Sequence, residues 1–142
     1  MTGLLLDTNV VSEIVKPVPS LQVEAWYAAH SLADLHLTAV VVAEINAGIE
    51  TMPMGRRRDV LERWRDELVM VTFRDRILPF DLAAADLFGR LTALAKRAGC
   101  PAKFADTQIA AVASVHGLTV ATRDVADFAG FGVPLVNPWQ AA

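Results

Sequence analysis

Gly3-Leu4-Leu5-Leu6-Asp7-Thr8-Asn9-Val10-Val11 opens as an unbroken apolar run, meets an acid, a hydroxyl and an amide, and turns apolar again. A run that is apolar at every position, rather than at alternate ones, describes a short strand covered on both faces. Asp7, Thr8 and Asn9 then supply groups that start a helix, which Val10 to Val15 continue until Pro17 and Pro19 stop it. A buried strand feeding straight into a helix is the repeating unit of an α/β fold.

The rest of the chain repeats that unit. A helix is expected from Leu21 to His30, a strand from Leu35 to Thr38, and a buried helix from Ala39 to Glu50 that Met52-Pro53-Met54-Gly55 breaks. Arg56 to Met70 places Val60, Leu61, Trp64 and Leu68 at helical spacing. Ile77 to Phe80 reads as a strand, and Asp81 caps a helix from Leu82 to Ala98 that Gly99 ends. Phe104 to His116 is a helix closed by Gly117, Leu118 to Thr122 a strand leading into Arg123-Asp124, and Val133 to Val136 the last strand. Strands alternating with helices predict an α/β sandwich with a short, mainly parallel central sheet, formed by residues 1–142 as one domain. In such folds ligands bind beyond the carboxyl ends of the strands, where Asp7 and Asp124 both fall.

Composition narrows the function classes. With 142 residues, 54% hydrophobic and 20% charged, the chain can bury a core as one domain. Its apolar runs are too short and too often interrupted for a membrane span. No basic region precedes the early Asp7, so a secretory signal is not expected and a cytoplasmic location is. The lone Cys100 excludes an internal disulfide and reads as an inert thiol. His30, His36 and His116 lack the spacing of a ligand pair and read as structural or surface residues.

The formal charge of −3 looks unsuited to nucleic acid, but four of the acids fall in the candidate site described next. Arg56, Arg57, Arg58, Arg63 and Arg65 form either a phosphate-facing strip or a solvated helix face with Asp59, Glu62, Asp66 and Glu67 as ion partners.

Glu44 has Val40, Val41, Ala47 and Gly48 as helical neighbours, none able to pair with a carboxylate. Asp106 shares its face with Ile109, Ala110 and Ala113, with Lys103 as an available ion partner. An unpaired buried carboxylate costs roughly several kcal/mol, so such acids find a cation, find donors or take up a proton. Asp7 and Asp124 have plainer readings as a helix cap and a turn former, and Asp127 as a cap or peripheral ligand. Taken together, acids without histidine or paired cysteines suit a hard, oxygen-preferring ion, Mg²⁺ or Mn²⁺. Asp7 and Asp106 are the expected direct ligands, with Glu44 and Asp124 acting directly or through water. Thr8, Asn9, Thr38 and Thr122 are placed to orient carboxylates or waters, or to cap helices.

The ordered set Leu5-Leu6-Asp7-Thr8-Asn9-Val10-Val11-Ser12-Glu13, Glu44, Ala105-Asp106-Thr107-Gln108-Ile109-Ala110-Ala111, and Ala121-Thr122-Arg123-Asp124 with Asp127-Phe128 resembles the PIN-domain family, within it the VapC or FitB type toxins. The resemblance runs from Leu4 to Val136-Asn137-Pro138-Trp139. It implies a PIN-like three-layer α/β/α sandwich and a Mg²⁺- or Mn²⁺-dependent endoribonuclease that cuts RNA and is neutralised by a cognate antitoxin. Asp7, Glu44 and Asp106 match the family's three common acids, and Asp124 a fourth position where related chains often carry Asn. A homodimer within a larger toxin–antitoxin complex that binds DNA is also implied, with Val10, Val11, Ile14 and Val15 as either contact or core residues.

Three rival readings remain at this level. A haloacid dehalogenase type phosphatase places an Asp after its first strand but needs a second acid two residues on, where this chain has Asn9. A DNA-directed nuclease of the same fold would use the same metal site. A non-catalytic PIN-like module would act through protein partners alone.

Overall fold

In the computed structural model, which describes residues 3–140, five parallel strands form one sheet in the order β3-β2-β1-β4-β5. They are β1 (Leu4–Leu6), β2 (Leu35–Thr38), β3 (Ile77–Leu78), β4 (Thr119–Ala121) and β5 (Leu135–Val136). The central strand is the triple leucine, at 7%, 0% and 0% exposure. Successive strand side chains point to opposite faces, so burial of all three requires helices on both faces of the sheet.

The connections run outward from β1 in two directions, first through β2 to β3 and later through β4 to β5. The order reverses between β1 and β4, and the crevice beyond the carboxyl ends of these two strands is where a doubly wound sheet takes its ligand. Asp7 leaves β1 at that point, its N–H donating to Ala121 O at 2.9 Å. Thr122 leaves β4 beside it, its N–H donating to Val136 O at 3.0 Å.

The helices are α1 (Thr8–Ile14), α2 (Leu21–Ala28), α3 (Ala39–Glu50), α4 (Arg56–Glu67), α5 (Leu82–Arg97), α6 (Phe104–His116) and α7 (Val125–Phe128). Thr38 caps α3 by accepting from Val41 N at 3.0 Å, Asp81 caps α5 by accepting from Ala84 N, and Gly117 closes α6 at φ 64, a conformation glycine adopts without strain. None of the helices among the described residues is long and apolar enough to cross a membrane.

The expected elements are all present with shifted ends, and α7 is a helix that the sequence reading does not predict. The α-helical hydrogen bonding of α4 stops at Glu67, short of Met70, and the backbone widens into a π turn over Leu68–Thr72 closed by Phe73 N donating to Leu68 O at 2.9 Å. That widening lets Leu68 and Phe73 both reach the core while Met70 and Val71 face solvent. Pro79, which has no N–H, follows β3 at Leu78, and Pro134, which can only accept, precedes β5 and takes a bond from Val120 N. Of the residues open to a contact or a core role, Val10 and Val11 are core, at 0% and 3% exposure, whereas Ile14 and Val15 are half-buried.

Candidate metal centre

Asp7 is 6% exposed and forms the N-cap of α1. Its Oδ1 accepts from Thr8 N at 2.8 Å and its Oδ2 from the Thr122 hydroxyl at 2.7 Å. Capping and site formation therefore involve the same side chain. Burial raises the Asp7 carboxyl above the usual range; the two donors oppose that rise, while Glu44 and Asp124 reinforce it.

Two residues beside Asp7 reach the other acids. The Thr8 hydroxyl donates to Glu44 Oε1 at 2.7 Å, joining α1 to α3. Asn9 donates through Nδ2 to Asp124 Oδ2 at 3.1 Å, and its Oδ1 accepts from Arg123 N at 3.4 Å. Thr122, fully buried, completes the link: its Oγ1 donates to Asp7 and accepts from Asp124 N at 3.0 Å. Asp124 stands at the N-terminus of α7 without a side-chain capping bond, so its carboxylate is turned to Asn9 rather than spent on the helix.

Glu44 corrects one premise of the sequence reading. Its neighbours in α3 are apolar, yet the residue is exposed at the edge of that stripe. Its partner Thr8 is distant in sequence and cannot be seen from helical periodicity. Asp106 is half-buried at the start of α6, and its carboxylate has no hydrogen-bond partner among the described residues. Burial first, then the negative charges of Asp7, Asp127 and Glu44, push its carboxyl up to about 6, against which Lys103 works. Lys103 does not bond to Asp106; its Nζ pairs with Asp127 Oδ2 at 2.9 Å. Thr38 is buried and holds Val41 N, as described for α3.

The donor chemistry of this cluster fits a hard divalent ion. Every group is an oxygen, and the charges pressing on Asp106 call for a cation. Among the described residues no three His, Cys, Asp or Glu side chains form a ready ligand set. Mg²⁺ does not need one, because it keeps several waters and is held by one or two carboxylates.

Beyond the cluster, a groove of about 320 Å³ opens beside Glu44 between α1, α3 and α4, lined in part by Thr8, Ser12, Ile49, Arg57 and Trp64. Arg58 pairs with Glu62 at 2.8 Å and Glu50 at 3.0 Å, and Arg65 with Asp66 at 2.8 Å, so these two are ion-paired as the helix-face reading expects, but half-buried rather than solvated. Arg56, Arg57 and Arg63 make no ion pair among the described residues. His30 and His36 turn Nδ1 to the carbonyls of Trp26 and Leu4.

Glu13 is the functional-looking acid that reasoning from neighbours missed. It is 6% exposed, as buried as Asp7, but its oxygens are taken by Lys16 Nζ and Ser20 N, both at 2.8 Å. Those bonds hold it below the usual carboxylate range and tie the Pro17–Pro19 turn to α1. Burial alone does not mark a ligand: Asp7 and Glu13 are equally buried, but the donors on Asp7 link it to the other acids, whereas those on Glu13 come from its own turn.

The sequence profile of the PIN domain matches residues 4–131. VapC ribonuclease Y4jK of Sinorhizobium fredii is 41% identical, over 98% of this chain and 99% of its own. Toxin FitB of Neisseria gonorrhoeae is 40% identical, over 96% of this chain and 99% of its own. The structure of FitAB bound to an IR36 DNA fragment superposes with a TM-score of 0.92 at 38% identity, covering 98% of this chain and 97% of that one.

Proposed function

Because the chain belongs to the PIN-domain family, we propose that it is a Mg²⁺- or Mn²⁺-dependent endoribonuclease and the toxin of a toxin–antitoxin pair acting in the cytoplasm. The observation that carries this reading is the gathering of Asp7, Glu44 and Asp124 through Thr8, Thr122 and Asn9, with the unpartnered Asp106 under the charges of Asp7 and Glu44. The ribonuclease and toxin names of relatives at 41% and 40% identity support it.

Asp7 and Asp106 would hold the ion directly, with Glu44 and Asp124 joining them directly or through water. Bound there, the ion supplies an activated water and stabilises charge growing on the leaving oxygen of a phosphodiester. The chain's own residues do the positioning. Thr122 and Thr8 N fix both oxygens of Asp7, so its remaining lone pairs face the cluster in one orientation. Thr8 and Asn9 each hold one oxygen, of Glu44 and of Asp124 respectively, leaving the other oxygen uncommitted. Asn9 is thereby occupied, and being an amide it cannot serve as the general acid of a phosphatase.

A cognate antitoxin as partner, in an assembly that also binds DNA, is supported by the FitAB complex on its DNA fragment; the homodimer within it rests on the sequence resemblance. Inhibition then follows if the antitoxin places a basic side chain, such as an arginine, among the acids. The test of the function is cleavage of matched RNA and DNA pools by antitoxin-free protein with Mg²⁺, with Mn²⁺ and with EDTA. Divalent-dependent cutting of RNA is expected; cutting of DNA alone assigns the fold to the other substrate, and folded protein that binds no metal returns it to a binding module.

A further inference from the structure

Arg123 sits between Thr122, which holds Asp7, and Asp124, in the turn from β4 to α7. Its backbone is fixed by donation to Asn9 Oδ1. Its side chain is exposed, and the guanidinium lies 5.1 Å from the centroid of the Trp139 ring. Trp139 is half-buried after β5, and its backbone N–H donates to Asn137 Oδ1 at 3.0 Å.

Among the described residues Arg123 makes no ion pair. Glu13 feels its charge, but the Glu13 oxygens already accept from Lys16 and Ser20. On the Asp106 side of the crevice Lys103 is bonded to Asp127, and Arg57 lies in the groove on the far side, beside Glu44. Arg123 is therefore a cation at the rim of an acidic crevice, pre-oriented on an aromatic face with its donors uncommitted. A planar guanidinium held this way loses little freedom when it takes a phosphate, and the negative crevice needs such a group to accept a polyanion.

Resting on the ribonuclease reading above, we infer that Arg123, held on Trp139, binds a backbone phosphate of the RNA substrate on the Asp124 side of the site. It is a substrate-positioning residue, and Trp139 acts through it.

The test uses the full chain, free of antitoxin, with a fluorescent RNA pool. Binding is titrated across salt concentrations with Ca²⁺ present, and cleavage is followed with Mg²⁺. Arg123→Ala is expected to raise KM about tenfold, the size of one charge-assisted contact, with kcat little changed. The slope of log K against log salt is expected to fall by about 0.7, as for one lost phosphate contact on a single strand. Trp139→Leu should raise KM by less, and Trp139→Phe, which keeps a ring, should restore most of it. An Arg123→Ala protein that cuts RNA with unchanged KM and salt slope overturns the proposal. So does one whose kcat alone falls, or one that loses only antitoxin binding. Wild-type protein that neither binds nor cuts RNA removes the ribonuclease reading itself.

Discussion

Thr122 donates its hydroxyl to Asp7 Oδ2 at 2.7 Å, from the end of one central strand to the end of its neighbour. Thr122 Oγ1 in turn accepts from Asp124 N, so one buried threonine sets the orientation of one acid and the backbone of another. Thr122→Val keeps the shape and removes both bonds, together with a longer one from Asn9 Nδ2 at 3.5 Å. Metal affinity is expected to fall about 10- to 100-fold, as when other groups that orient metal ligands are lost. Mn²⁺ titration by calorimetry measures it; unchanged affinity would mean that Asp7 is oriented by Thr8 N alone.

Asp106 gives a prediction with a definite sign. Its carboxyl is pushed up to about 6 from an unfolded value of 3.8, so in metal-free protein it contributes stability that is full below pH 3.8 and lost as pH rises through about 6. Asp106→Asn removes the charge and should raise the metal-free melting temperature at pH 7.5. It should also abolish the further rise that Mg²⁺ gives the wild type. Thermal unfolding in EDTA and in excess Mg²⁺ reads both effects.

Glu13 predicts the opposite pH sense. Held low by Lys16 and Ser20 N, it contributes stability present above its unfolded value of 4.5 and lost as pH falls through the lower folded value. Glu13→Gln should melt at a lower temperature than wild type at neutral pH, and the gap should narrow on acidification below about 4.5. A gap that is constant across that window would show that packing, not charge, is what the substitution removes.

Gly130 tests the packing behind the site. A Cβ there would lie 2.7 Å from Cys100 Cβ and 3.0 Å from Ala95 Cβ, both close to the backbone of a packed helix end. Gly130→Ala is expected to cost about 1–3 kcal/mol in urea unfolding, while cleavage per folded molecule stays near wild type.

The sheet and most helices were legible in the sequence because their signals are local. Leu4 to Leu6 are apolar at every position, and Asp81 and Gly117 punctuate helices where such residues do so by conformation. The π turn after Glu67 was not legible, since it depends on Leu68 and Phe73 both finding the core. The four acids were legible as candidates, but their arrangement was not: Thr8 meets Glu44, and Asn9 meets Asp124, only because β1 lies between β2 and β4. The same limit hid Glu13, whose partner is a loop backbone N–H, and made Glu44 look buried when it lies at an exposed edge.

The most direct measurement of the central claim is RNA cleavage by Asp106→Asn beside wild type, each with Mg²⁺ and with EDTA. Asp106 has no hydrogen-bond partner among the described residues, so this substitution breaks no bond and removes only the charge and one of the two oxygens offered to the ion. The account predicts that wild-type protein cuts RNA with Mg²⁺ and not with EDTA, and that the folded variant is slower by on the order of 100-fold or more. Full cleavage by the variant, or wild-type cleavage undiminished in EDTA, would contradict it.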